Sequence, residues 1–299
     1  MERSTNCGKL AWVTLGIWLC LPSGFAVAGD LFVADWPSTI DEFTPGGAKS
    51  VLVRLSDAPF GLAFDQSGNL FVSLADASVN NICKITPGGT RSTFASGLSS
   101  PNGLAFNQGG NLFEADSGSG NIYEFTPGGT QSTFASGLID PCGLAFDAGG
   151  NLFVSATSAG VIYKITPGGV QSTFASGLSD PRGLAFNSSG DLFEADYDTI
   201  NEFTQGGVRS TFAVGLSTPY GLAFDQSGNL FVAETNYGEI IEITPGGSKS
   251  AFAFPPALTE PIGLAFAPTP EPSALALLAA GALAFIGVAL HRRRHGAKR

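Results

Sequence analysis

The chain has 299 residues, a formal net charge of −10, 40 Gly and 24 Phe, and only 13% of it is charged. That length admits one large domain, and the surplus of turn and aromatic residues over helix-forming charged ones points to sheets. The segment 29–267 holds 8 Lys and Arg against 23 Asp and Glu, a net of −15 that repels phosphate backbones and excludes nucleic acid as a partner. The plain reading of such acidity is solubility; cation binding is the alternative.

Residues 1–28 read as a secretory signal peptide. Arg3 and Lys9 give the positive start, 10–21 the apolar core and Pro22-Ser23-Gly24 the break, and Ala26-Val27-Ala28 is an A-x-A cleavage site. Cys20 would mark a lipid-anchored start, but Leu19 stands before it where that signal needs a small residue.

From residue 29 the chain repeats itself. Gly-Leu-Ala-Phe recurs at 61–64, 103–106, 143–146, 183–186, 221–224 and 263–266, at intervals of 42, 40, 40, 38 and 42. A period near 40 with four short β-rich runs per unit predicts a six-bladed β-propeller, all-β, with one four-stranded blade per repeat. In the unit 141–180, Gly-Leu-Ala-Phe is strand a, 151–155 strand b, 162–166 strand c and 171–175 strand d, with turns at 147–151 and at Pro167-Gly168-Gly169. The motifs are out of phase at the ends: the chain starts on strands b to d of a blade lacking strand a, and 263–266 is an orphan strand a. Joining the two closes the ring and removes both open edges.

Residues 268–299 follow the last repeat. They contain Pro270-Glu271-Pro272-Ser273, an uncharged run at 274–290 and a basic tail at 291–299. The run of 17 is long enough for a short transmembrane helix, and the basic tail would stay cytoplasmic. This order resembles the PEP-CTERM sorting signal of Gram-negative bacteria. The resemblance implies export to the cell envelope or outer surface, anchoring through the helix before processing, and an exosortase-type enzyme as partner. An ordinary C-terminal anchor would have the same topology without processing.

The blade motif P-x-G-L-A-F-D-x-x-G-N-L-F-V-A-D resembles the NHL-type propeller repeat and the wider six-bladed group that includes gluconolactonase-like hydrolases and streptogramin lyases. The resemblance implies architecture; binding modules and enzymes share it. Both His residues, His291 and His295, lie in the tail, so the propeller lacks the side chain best suited to proton transfer near neutral pH. No catalytic residue is assigned. A binding or structural surface module with a polysaccharide or protein ligand is the leading reading. The alternative, from the gluconolactonase-like resemblance, is a carboxylate- and divalent-cation-dependent hydrolase or lyase. No cofactor is required for the first; calcium held by carboxylates and Asn stays open for the second.

The a–b and c–d turns barely vary between repeats, whereas the b–c loops and the residue before the strand-a Gly (Phe60, Asn102, Cys142, Arg182, Tyr220, Ile262) do. These variable positions lie on one rim of a propeller, where loops on a rigid scaffold carry function, although loops also drift. Strand b has Glu114 and Glu194 where four repeats have Val, each with an Asp two residues on, Asp116 and Asp196. Residues i and i+2 share a strand face, so each pair is expected to set two carboxylates side by side. With Asn102, Arg182 and Tyr220 around the mouth, these are the candidate ligand-binding residues. A structural alternative has Arg182 neutralising its own blade's acids and Glu114 bonding a neighbouring loop. Cys83 and Cys142 occupy different repeat positions, which favours two separate buried thiols.

Overall fold

Leu31 pairs with Phe266, and with that contact the two ends of the repeat region enter one sheet. The structure is a computed structural model that describes residues 29–75 and 80–268. The signal peptide, the sorting motif with its apolar run and basic tail, and residues 76–79 of one b–c loop lie outside the described residues.

Six four-stranded antiparallel sheets form the ring. Blade 1 combines Glu260–Phe266 with Leu31–Trp36, Thr39–Phe43 and Lys49–Arg54, which is the closure expected from the split repeat. Blades 2 to 6 follow in chain order, with strands a starting at Pro59, Pro101, Pro141, Leu184 and Pro219. In blade 4 the strands are Pro141–Phe146, Leu152–Ala156, Val161–Ile165 and Gln171–Ser176, within two residues of the sequence expectation at either end. Strand a of blade 5 is shorter, Leu184–Phe186, although Arg182 and Gly183 still bond Ala195 of strand b, and Gly183 N–H donates to the Tyr220 carbonyl of blade 6 at 3.0 Å.

Strand b is buried on both faces, so its side chains divide between two interfaces. Leu31 and Val33 pack toward blade 6, while Phe32 and Ala34 pack toward blade 2. Each strand-b Phe meets the strand-a Phe of the next blade edge-on: Phe32–Phe64, Phe71–Phe106, Phe113–Phe146, Phe153–Phe186, Phe193–Phe224 and Phe231–Phe266, all with centroids 5.0–5.1 Å apart. Such pairs contribute about 0.5–1.5 kcal/mol each beyond their buried area. Cys83 and Cys142 are free, buried thiols.

The missing side chain of the strand-a Gly sets the spacing on the axis. A Cβ built on Gly143 would stand 2.1 Å from the Arg182 carbonyl oxygen, and the other five meet the next blade's carbonyl at 2.1–2.3 Å. The chain enters at Gly29–Asp30 and leaves after Ala267, whose N–H donates to Asp30 O at 2.9 Å, where the other blades have an a–b turn. Both ends of the propeller therefore leave on the a–b turn face, opposite the b–c loops.

A chain ending at Pro256 lacks the Glu260–Phe266 strand and leaves the Leu31–Trp36 edge open. It is expected to melt several degrees lower and to self-associate in size-exclusion chromatography. An unchanged melting curve for a monomer would contradict the closure.

Candidate functional site

The six residues that precede the strand-a Gly converge at the mouth of the axis. Five of them, all but Arg182, line a cavity of about 80 Å³ with the Gly and Leu residues that follow. Tyr220 of blade 6 reaches across it to Asn102 of blade 3, the blade opposite. Asn102 Nδ2 donates to the Tyr220 hydroxyl at 3.1 Å, and the hydroxyl faces Asn102 Oδ1 at 3.3 Å. The Cys142 thiol donates to the same hydroxyl at 3.4 Å. Arg182 lies over the Tyr220 ring, 4.9 Å from its centroid, and grips Asp180 Oδ2 through Nε at 2.9 Å and Nη2 at 2.6 Å. Burial pushes the Tyr220 phenol well above its ordinary range and also raises the Cys142 thiol. Burial pulls Arg182 down, but its hydrogen bonds and ion pair with Asp180 more than offset this, so it stays charged. Asn102, Arg182 and Tyr220 are thus brought together as the sequence suggests, as a mutually satisfied plug.

The four carboxylates are placed differently. All of them are buried in strand b rather than open on the rim. Asp116 accepts the Ser99 N–H at 2.6 Å and the Ser119 N–H at 3.0 Å. Asp196 accepts N–H groups of Ser179 at 2.9 Å, Asp180 at 2.7 Å and Tyr197 at 3.0 Å. Asp35 and Glu234 do the same in blades 1 and 6, capping Thr259, Glu260 and Ser217. These acids hold the d–a links in place by charge-assisted bonds to the backbone. The structural alternative needs amending on both counts. Arg182 pairs with Asp180, whereas Asp196 meets Arg209 at 3.5 Å; and Asp116, not Glu114, bonds the loop.

Glu114 and Glu194 lie wholly inside the interfaces with blades 2 and 4. Neither oxygen of Glu114 has a well-formed hydrogen bond, the Asn102 backbone N–H being its nearest donor; Glu194 accepts from Asn201 Nδ2 at 2.9 Å through one oxygen, and the other has none. Burial, with Asp116 adding repulsion, pushes Glu114 up to about 9 against the pull of the Asn102 backbone N–H. Burial likewise raises Glu194 to about 8, the Asn201 bond opposing it and Asp196 assisting it. Two carboxylates on one strand face repel each other, but the main cause of both raised values is desolvation within each interface. Both carboxyls are therefore neutral at pH 7.

At the strand-b position that faces the next blade, four blades have Ala and two have Ser. Those two, Ser73 and Ser155, precede the two Glu-bearing blades. Ser73 Oγ accepts from Gly61 N at 2.7 Å and donates to Asn102 O at 2.5 Å; Ser155 does the same with Gly143 N at 2.7 Å and Arg182 O at 2.5 Å. This pairing of Ser with Glu one repeat later is visible in the sequence and was not used there. No group of three or more His, Cys, Asp and Glu among the described residues is arranged to hold a metal ion.

The b–c loops lie above this layer. Trp36, Tyr197 and Tyr237 in blades 1, 5 and 6 are 40%, 62% and 62% exposed. Among the described residues, the non-glycine residues with left-handed φ are Ser100, Asp140 and Thr218 at 56°, 53° and 49°, all on d–a links of this same face. Such backbone costs on the order of 1–3 kcal/mol each and gathers where a local shape matters.

Residues 268–294 match the PEP-CTERM protein-sorting motif. No curated protein matches the chain by sequence. Among solved structures, a nidogen/laminin complex has a chain with a TM-score of 0.74 at 22% identity, covering 80% of this chain and 98% of that one. A catalytically inactive virginiamycin B lyase from Staphylococcus aureus with quinupristin scores 0.62 at 16%, covering 81% and 89%. A streptogramin B lyase scores 0.65 at 16%, covering 84% and 93%. These likenesses establish the six-bladed fold.

The buried carboxyls carry a pH signature. Between their unfolded range near 4.5 and folded values near 8 and 9, the unfolded chain releases protons that the folded one keeps. Their stabilisation is full below pH 4.5 and is lost as pH rises toward 9, by up to about 1.4 kcal/mol per pH unit per group. Glu114→Gln/Glu194→Gln is expected to melt higher than the unmodified protein at pH 8 and to flatten the decline between pH 5 and 9. Parallel curves for the two proteins would refute the assignment.

Proposed function

We propose that this is an exported propeller that binds a ligand through the face made of its b–c loops and d–a links. The carrying observation is the contrast between the two faces. The turn face repeats the same Asx and Gly-Gly turns from blade to blade, with Gln205 replacing the Pro once, and is where the chain enters and leaves. The loop face differs in every blade, holds the left-handed non-glycine residues and presents the exposed rings. The sorting motif begins within three residues of the last described one, so the loop face is turned away from the point where the chain continues.

The motif indicates export, envelope sorting and recognition by an exosortase-type enzyme. In the proposed life cycle the signal peptide is removed on export and the helix at 274–290 anchors the chain in the membrane of a Gram-negative envelope until processing. The propeller is then displayed as a binding or structural surface module. Asn102, Arg182 and Tyr220 stand at the centre of this face, while Glu114, Asp116, Glu194 and Asp196 support it from within.

Two measurements test this reading. Ser119 lies in a b–c loop and Ser67 in an a–b turn. Each, replaced by Cys and coupled to a bulky polymer, gives a propeller with one face masked. Retention on envelopes of the producing bacterium is expected to be lost with Ser119→Cys masked and kept with Ser67→Cys masked; the reverse would place the binding face on the turns.

The alternative is a hydrolase or lyase using carboxylates and a divalent cation. Glu114 and Glu194 lie in separate interfaces, and Asp116 and Asp196 accept backbone N–H groups. Melting in millimolar calcium is expected to coincide with melting in EDTA. A rise of several degrees, lost in Glu114→Gln/Glu194→Gln, would favour the enzyme reading.

A further inference from the structure

The exposed aromatic residues of the loop face are unevenly distributed. Trp36, Tyr197 and Tyr237 belong to three consecutive blades, 5, 6 and 1, with Phe254 on the link from blade 6 to blade 1. The b–c loops of blades 2, 3 and 4 have none: they read Asp76-Ala77-Ser78-Val79, Ser117-Gly118-Ser119-Gly120 and Thr157-Ser158-Ala159-Gly160.

The three ring-bearing loops are tied into one arc. Leu216 N–H donates to Asp198 O, beside Tyr197, at 3.0 Å; two residues on, Thr218 O accepts from Thr235 N–H at 3.3 Å, at the start of the Tyr237 turn. Thr235 Oγ1 then donates to Pro261 O at 3.0 Å, and the same strand pairs Glu260 with Trp36. The links beneath are fastened by lysines: Lys249 Nζ donates to Val214 O at 2.6 Å, and Lys49 bonds Ala257 O and Asp41. Arg209 of blade 5 is likewise held, by Asp196 and the Gly177 carbonyl, while Arg54 at the end of the outer strand of blade 1 is exposed.

Each ring stands next to a carboxylate: Tyr197 beside Asp198, Tyr237 two residues from Glu239, and Trp36 in register with Glu260. The same combination occurs elsewhere in the propeller with a cation added. Arg182 lies 4.9 Å from the Tyr220 centroid and pairs with Asp180. Lys84 lies 5.3 Å from Phe71 and 4.0 Å from Asp65, and Lys164 lies 5.3 Å from Phe153 and 3.7 Å from Asp147. Among the described residues no cation is stacked on Trp36, Tyr197 or Tyr237 of the outer arc.

Resting on the loop-face reading above, we propose that this arc recognises a Lys- and Arg-rich peptide segment of a partner protein. Its cationic heads lie over Trp36, Tyr197 and Tyr237 and pair with Glu260, Asp198 and Glu239. Rings attract such cations through their negative faces, and guanidinium also stacks. The net of −15 on residues 29–267 steers a basic chain toward this surface and repels a polyanion. The axial cavity of about 80 Å³ is too small to take a ligand of this kind, so it lies extended across the arc.

The propeller reports on its own arc. Every described strand finds its partners within 29–268, and Trp36 is the sole Trp after residue 28. Residues 29–268 are titrated with a Lys/Arg decapeptide, with Trp36 fluorescence as the readout and maltoheptaose and polyglutamate as comparisons. A saturable change with the decapeptide alone is expected. Tyr197→Ala/Tyr237→Ala keeps the net charge and removes two exposed rings; it is expected to bind at least tenfold more weakly with an unchanged circular-dichroism melt. Equal binding by this variant would reduce the effect to net charge and overturn the proposal, as would a response to maltoheptaose in place of the peptide. No peptide binding, with envelope retention still abolished by masking Ser119→Cys, would overturn the peptide and leave the loop-face reading standing. Loss of both would end both.

Discussion

Six strands can meet around one axis here because each has a Gly where it passes its neighbour. The space a Cβ would need is taken by the next blade's carbonyl oxygen, 2.1–2.3 Å from the ideal position, at all six interfaces. No L side chain fits that gap without moving backbone, so these glycines are required by close approach rather than by turn geometry. One consequence is the edge-on stacking of strand-b and strand-a Phe rings, which repeats at 5.0–5.1 Å because the strands are held at one spacing. A second is that the axis is nearly full. The cavity of about 80 Å³ on the axis is crossed by Tyr220, and a larger one of about 400 Å³ opens beside it among Phe60, Asn80, Ser100, Asn102 and Ser117, so the accessible space lies toward the loops.

The same constraint separates the two faces. On the turn face each blade closes with local bonds: Asp65 Oδ1 accepts the Ser67 and Asn69 N–H groups, and Asp147 and Asp225 each take the Asn N–H four residues on. These turns are self-contained and need nothing from their neighbours. On the loop face each link depends on an adjoining strand b, through Asp35, Asp116, Asp196 or Glu234. Blades 2 and 4 have Leu74 and Ala156 there instead, and they are the blades in which Ser73 and Ser155 fasten the neighbouring strand a. Loop shape is therefore set blade by blade, by whichever polar group strand b supplies.

The blade count, the four strands per blade and the closure through the orphan strand were all legible in the sequence, because the Gly-Leu-Ala-Phe and Gly-Gly motifs mark the axis and the turns directly. The i, i+2 rule correctly put Glu114 with Asp116 and Glu194 with Asp196 on one side of strand b. It did not reveal that this side is closed. In an ordinary sheet one face is wet, and a Glu–x–Asp pattern marks it; in a propeller strand b is sandwiched between two blades. The position within the strand then decides the role. Glu114 and Glu194 sit mid-strand in the dry interface, while the Asp two residues on reaches the end of the strand and caps a link. The Ser–Glu pairing across neighbouring repeats was available as a signal, since in a closed ring a polar residue on one blade needs company on the next.

The protonation of Glu114 and Glu194 also bears on where the surface charge acts. An ionised carboxylate in a blade interface is opposed by desolvation of several kcal/mol and by the Asp of the same strand, and the few donors present, the Asn201 amide at Glu194 and the Asn102 backbone at Glu114, do not offset this. These two groups then add nothing to the field at neutral pH. Asp116 and Asp196 are surrounded by N–H groups that offset much of theirs. The acids that still project a field are those reached by solvent, among them the exposed Asp198 and the half-buried Glu239 and Glu260 on the aromatic arc. Inside the propeller a base lies near the ring and acid in three places; on the arc the ring and acid face solvent. The ring of glycines fills the centre, the interior acids stay silent or locally bonded, and the unspent charge lies beside the exposed rings of blades 5, 6 and 1.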